Sequence, residues 1–265
     1  MKFILYQVDA FAKNVFEGNP AAVIPLDSWI SDKAMQSFAQ ENNLSETAFF
    51  CPTKTGYKIR WFTPNGEVIL CGHATLATAY VIFNFFENNS NSIAFESKSG
   101  ILNVSQDNDL YTLDFPSQLP LECEIPEYLE EGLGVKIENC YINEDYIVVF
   151  DNEKKISNLV PDMKKLSNLD SRGVIVTATS NEFDFVSRAF FPKYGIPEDP
   201  VTGSAHTKLI PLWSKKLNKT ELRAKQISKR GGELFCKYNG DRVKIAGYAQ
   251  LYMVGEINIS NATIT

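Results

Sequence analysis

Histidine is scarce in this sequence: His73 and His206 are the only two in 265 residues. Cysteine is nearly as sparse, and the five present (Cys51, Cys71, Cys123, Cys140 and Cys236) are scattered, odd in number and without a C-x-x-C pair. That pattern signals neither a disulfide framework nor a zinc knuckle. With so few histidines there is also no ligand spacing for a catalytic metal, so neither metal nor cofactor is expected. Basic residues are outnumbered, with 26 Lys and Arg against 32 Asp and Glu. The excess of positive charge that a nucleic-acid partner demands is therefore missing. Long apolar runs are lacking too. The stretch before Asp9 is too short for a signal-peptide core or a spanning helix, so a cytoplasmic protein without a membrane partner is expected. Neither G-x-x-x-x-G-K-[ST] nor G-x-G-x-x-G occurs, which leaves no phosphate-cradling loop to argue from.

What is present describes a globular enzyme-sized chain, with 44% hydrophobic and 22% charged residues. At this length two domains are the leading expectation, over 1–115 and 116–265, with the C-terminal segment a candidate to complete the first. Two stretches compete for the boundary, 107–120 and the Lys-, Asn- and Asp-rich 151–168. The pattern predicts short strands over 3–8, 21–25, 46–51, 57–62, 172–178 and 183–191, with more in the last fifty residues. Helices are predicted over 31–42, 72–86 and 203–213, and the last two are apolar on so many sides that each must be enclosed. Strands without regular strand-helix alternation give an α+β class.

An internal echo supports two similar halves. Arg60, Phe62, Pro64 and Gly72 recur as Arg188, Phe190, Pro192 and Gly203 once three extra residues are allowed before the second glycine. Each copy then continues as Gly-x-Ala into an apolar helix, which makes duplication the better reading. Both copies run from a strand through a loop into a helix that starts at glycine. The unpaired N–H groups of such a start favour an anion, so Gly72 and Gly203 are candidate substrate contacts.

The two histidines sit in the first turns of the echoed helices. The field at a helix N-terminus disfavours an imidazolium, so His73 is expected neutral and able to exchange a proton. His206 is a minor candidate that orients a neighbour. Glu46 opens an apolar strand in NNLSETAFF, where a carboxylate must be solvated or used; its bland alternative is a capping role with Ser45. Asp199 is held between Pro197 and Pro200, with a turn-forming role as its alternative. Cys71 precedes Gly72, but its counterpart is Thr202, so a matched pair of thiols is not available.

Taken together, Asn19-Pro-Ala-Ala-Val, Asn43-Leu-Ser-Glu46-Thr-Ala, Leu70-Cys-Gly-His73-Ala-Thr, Glu198-Asp199-Pro-Val-Thr-Gly-Ser204-Ala-His and Gln226-x-Ser-x-Arg230-Gly-Gly232 resemble the phenazine-biosynthesis PhzF-like family along nearly the whole chain. The resemblance implies a diaminopimelate epimerase-like fold of two pseudo-symmetric halves, each a barrel-like, mostly antiparallel sheet around a central apolar helix, with a site in the cleft between them. It implies Glu46 as the catalytic glutamate, with His73, Asp199 and Ser204 as further catalytic residues, and Asn19 and Ser45 beside the glycines as substrate contacts. A homodimer is implied in the same way. The expected activity is a cofactor-independent isomerisation of a small carboxylate-bearing metabolite by acid/base proton shift. The rival readings are an amino-acid or hydroxy-acid racemase or epimerase, and a non-catalytic metabolite-binding or interaction protein.

Overall fold

A computed structural model describes residues 1–86 and 90–260. The fold is α+β. The chain divides into two units, Met1–Asp114 together with the segment from Ala246 on, and Phe115–Ile245. No helix among the described residues is long and apolar enough to cross a membrane.

The first unit opens with β1 (Lys2–Ala10) and β2 (Asn19–Pro25), an antiparallel pair in which Val8 faces Ala21. Gly18, with φ of +65°, turns the chain so tightly that an added Cβ would lie 2.1 Å from the Ala10 carbonyl oxygen. Only glycine meets both conditions, and the turn delivers Asn19 to a fully buried position. Next comes α1 (Asp32–Asn42), whose first turn is capped by the Ser31 hydroxyl and which ends at Asn43 in the left-handed region, φ 49°. That stop releases the chain directly into β3 (Glu46–Pro52), parallel to β2, with Glu46 opposite Ala21. The sheet continues through β4 (Tyr57–Thr63) and the short β5 (Gly66–Val68). The helix α2 (Gly72–Phe85) packs against β1, β2 and β3, and its residues from Gly72 to Ala79 are all buried. Enclosing side chains such as Leu76, Val81 and Ile82 stabilises the unit by roughly 1.5–3 kcal/mol each. β6 (Ser92–Ser97), β7 (Gly100–Asp107) and β8 (Leu110–Pro116) complete this run.

The second unit contains β9 (Leu121–Glu122), α3 (Leu129–Leu133), β10 (Asn139–Ile142) and β11 (Tyr146–Phe150). α4 (Glu153–Ser157) and α5 (Met163–Leu166) follow. Ile156, Leu159 and Leu166 from this region are buried in the unit's core, so 151–168 is packed structure and not a joint. β12 (Val174–Ala178), β13 (Phe185–Phe191) and β14 (Ile196–Asp199) lead into α6 (Gly203–Leu217). β15 (Glu221–Gln226), β16 (Gly232–Asn239) and β17 (Arg242–Gly247) come next. The final strand, β18 (Ala249–Asn258), belongs to the first unit, where it pairs antiparallel with β1.

The helix α6 runs past Pro211, four residues beyond the predicted end at 213. Proline cannot donate to the Thr207 carbonyl four residues back, a loss that normally breaks a helix. Here the Gln118 N–H takes that carbonyl at 3.0 Å. Farther inside, Lys208 is fully buried and its ammonium lies 3.0 Å from Asp145, which also accepts two bonds from Arg172 at 2.8 and 2.6 Å. A buried lysine is tolerable only when paired in this way.

The internal echo extends to the ladders. In the first unit the successive pairs β18–β1, β1–β2, β2–β3, β3–β4, β4–β5, β4–β6 and β6–β7 are antiparallel, antiparallel, parallel, antiparallel, antiparallel, parallel and antiparallel. In the second, β9–β10, β10–β11, β11–β12, β12–β13, β13–β14, β13–β15 and β15–β16 repeat the series in the same order. The echoed arginines hold matching places. Arg60 forks onto Glu67 with two bonds of 2.8 Å, and Arg188 onto Glu198 with bonds of 2.7 and 3.0 Å. Each guanidinium also lies over the echoed phenylalanine, Phe62 or Phe190. The three extra residues of the second copy go into a 3-10 turn at Pro192–Tyr194 and a β14 one residue longer than β5.

Candidate active site

In the first unit, the start of α2 gathers the predicted residues. His73 is 5% exposed, and its Nε2 lies 3.1 Å from Glu46 Oε2. Its Nδ1 faces the Asn19 amide at 3.3 Å and Cys71 Sγ at 3.6 Å. The positions follow from the sheet: β2 supplies Asn19, the parallel β3 supplies Glu46, and α2 packs on both. Asn19 is therefore a contact of His73. Ser45 is half-buried in the bend before Glu46. Glu46 opens a strand, so the capping alternative for Ser45 and Glu46 does not hold.

The expectation of a neutral His73 is corrected by these neighbours. Burial alone would push its pKa down, but the adjacent Cys71 and the Glu46 carboxylate outweigh burial and hold it well above the ordinary histidine range. The Asn19 amide suits either protonation state, since its oxygen and nitrogen exchange places by a half-turn. Burial and the Glu46 charge push the Cys71 thiol up. Glu46, Cys71 and His73 are close enough to share a cation. The imidazole turns one nitrogen to Cys71 and the other to Glu46.

In the second unit, Asp199 is 7% exposed and accepts the Thr202 hydroxyl at 2.5 Å. Ser204 is half-buried in the first turn of α6, beside the buried Gly203. His206 is enclosed: its Nδ1 bonds the Thr202 carbonyl at 2.8 Å, and its ring lies against Phe185. Burial pushes its pKa down to about 4, so it is a neutral wedge inside the helix start.

The starts of α2 and α6 share one further property. Ser31, Asn152 and Asp162 cap α1, α4 and α5 with their side chains, whereas Cys71 and Thr202, before the long helices α2 and α6, cap nothing, as does Tyr128 before the five-residue α3. Two enclosed helix starts without capping oxygens are ready acceptors of an anionic group. The sequence reading missed Gln226 as a partner of this region. Its amide oxygen accepts the Thr202 N–H at 2.9 Å, across a separation that local pattern does not register.

The chain is 49% identical to a protein of Pseudomonas aeruginosa named an uncharacterized isomerase, covering 98% of this chain and 100% of that one. A second protein with that description, from Halalkalibacterium halodurans, is 47% identical over 96% of this chain and 97% of its own length. The crystal structure of a PhzF-family phenazine biosynthesis protein from Enterococcus faecalis superposes with a TM-score of 0.95 at 48% identity, covering 98% of this chain and 100% of that one. Residues 8–255 match the family described as phenazine biosynthesis-like protein, and the chain belongs to that family.

Proposed function

We propose that the chain is an isomerase that shifts a proton within a small carboxylate-bearing metabolite, using its own acid and base groups and no cofactor. The single observation that carries this reading is the Glu46–His73 pair, 3.1 Å apart at the uncapped, enclosed start of α2. A carboxylate so placed is a general base, and the imidazolium beside it is the matching acid. Glu46 takes a proton from a substrate carbon, and the proton returns at another carbon of the same molecule. The change is redox-neutral and consumes no second substrate. The N–H groups at Gly72 and His73 hold the substrate carboxylate or the negative charge that develops on it. Asp199, Gly203 and Ser204 stand at the matching uncapped helix start of the second unit, which suits an anionic group in the same way. The isomerase names of the relatives support the reaction class.

Incubating the purified protein with a cell metabolite extract in D2O, followed by mass spectrometry, tests the reading. A deuterated product with a moved double bond or functional group is the expected result. Exchange at a single stereocentre without rearrangement would indicate a racemase, and binding without exchange would leave a non-catalytic protein.

A further inference from the structure

The Gln226-x-Ser motif ties down the entry to α6 at three successive points. Gln226 ends β15 and is fully buried. Its Oε1 accepts the Thr202 N–H at 2.9 Å, and its Nε2 donates to the Asp199 carbonyl at 2.7 Å and to Thr202 Oγ1 at 3.2 Å. Ser228 donates its hydroxyl to the Pro200 carbonyl at 2.7 Å. A backbone N–H on one side and a backbone carbonyl on the other fix which end of the amide is oxygen. The Thr202 hydroxyl has one proton. Because its oxygen already accepts from Gln226, that proton is committed to Asp199 Oδ2.

The repeated ladder shows which of these bonds the fold itself needs. By register, Ser99 and Ile69 stand where Ser228 and Pro200 do, and Ser99 makes the equivalent bond to the Ile69 carbonyl at 2.9 Å. That serine strap is common to both units. Asp199, Thr202 and Gln226, in contrast, stand where the first unit has Val68, Cys71 and Ser97. Ser97 bonds the Gly100 carbonyl, within its own turn. The amide clamp is thus an addition to the unit that carries Asp199.

We infer that Gln226 is a positioning residue: through the Thr202 hydroxyl it fixes the direction of the hydrogen bond to Asp199, and so presents that carboxylate in one orientation to the substrate. The kinetic consequence rests on the isomerase reading; the hydrogen-bond direction does not. Proton NMR of the full-length protein in water reads the direction without a substrate. The wild type should show a slowly exchanging hydroxyl proton downfield of the amides. It should vanish in Thr202→Val and Asp199→Asn and persist in Thr202→Ser. Gln226→Glu keeps the accepting oxygen but loses the donor, so the resonance should move or disappear.

On the substrate found by the D2O experiment, Thr202→Val and Gln226→Glu should each lower kcat about 10- to 100-fold, with KM changed less than about threefold. The double variant should be no worse than the poorer single one, and Thr202→Ser should restore turnover. A wild type without the resonance, a resonance unmoved in Gln226→Glu, or an unchanged kcat in Thr202→Val would overturn the inference. If Gln226→Glu does not fold, the Thr202→Val and Thr202→Ser pair decides. A wild type that turns nothing over counts against the isomerase reading alone, and the NMR result still decides the role of Gln226.

Discussion

Glu46 and Gly173 hold the same place in two copies of one ladder. Each precedes the residue that pairs with the echoed phenylalanine, Thr47 with Phe62 and Val174 with Phe190. The catalytic candidate of one unit is thus matched by a residue with no side chain at all. A Cβ on Gly173 would lie 2.3 Å from Phe191 Cδ1 and 2.6 Å from the Phe190 carbonyl oxygen, and the carbonyl is held in the sheet. Gly173→Ala should therefore destabilise the protein by about 1–3 kcal/mol, read as a lower urea midpoint at unchanged slope. A midpoint equal to wild type would show that the second unit has room for a side chain there.

The Glu46–His73 pair makes stability depend on pH in a defined direction. The folded His73 has a pKa raised well above its unfolded value. Its contribution is fully present below about pH 6.5 and is lost as the pH rises through the folded value. The stability advantage of the wild type over His73→Gln should shrink steadily from neutral to alkaline pH. Urea unfolding at a series of pH values tests this, and an advantage that grows with pH would show that burial dominates the pair.

Thiol reactivity gives an independent check on Cys71. Burial pushes Cys51 to about 11 and Cys140 to about 12, and raises Cys71 and Cys236 as well. Only thiolates attack, so Ellman's reagent should label these four slowly in the native protein at pH 8 and all five cysteines at once in urea. Rapid native labelling of Cys71, located by peptide mass spectrometry, would restore it as a nucleophile. Cys71→Ala should in turn keep turnover within about tenfold of wild type.

Several features were readable in the sequence because they are local. The apolar run in α2, the Ser31 cap, and the repeated Arg, Phe, Pro and Gly each leave a signature within a few residues. The partnership of Arg60 with Glu67 and Arg188 with Glu198 was hidden by the unequal turns between them. The C-terminal segment was expected as a candidate to complete the first unit and does so through β18 on β1, but the register of that pair spans almost the whole chain and no local pattern sets it. The protonation of His73 was misjudged because the helix field is local whereas Glu46 arrives from another strand. Gln226 was visible as a motif, but its bonds to Thr202 and Asp199 are set by tertiary packing. The pairing of the enclosed Lys208 with Asp145 is likewise set by tertiary packing and leaves no local signature.

The most direct measurement is hydrogen exchange by Glu46→Gln. The substitution keeps the volume of the side chain and removes the base, so the variant should unfold cooperatively near the wild-type temperature. It should also lose at least about a hundredfold of the deuterium incorporation the wild type catalyses from D2O, the size expected for a general base. A folded Glu46→Gln protein that still incorporates deuterium at the wild-type rate would contradict the assignment of Glu46 as the base.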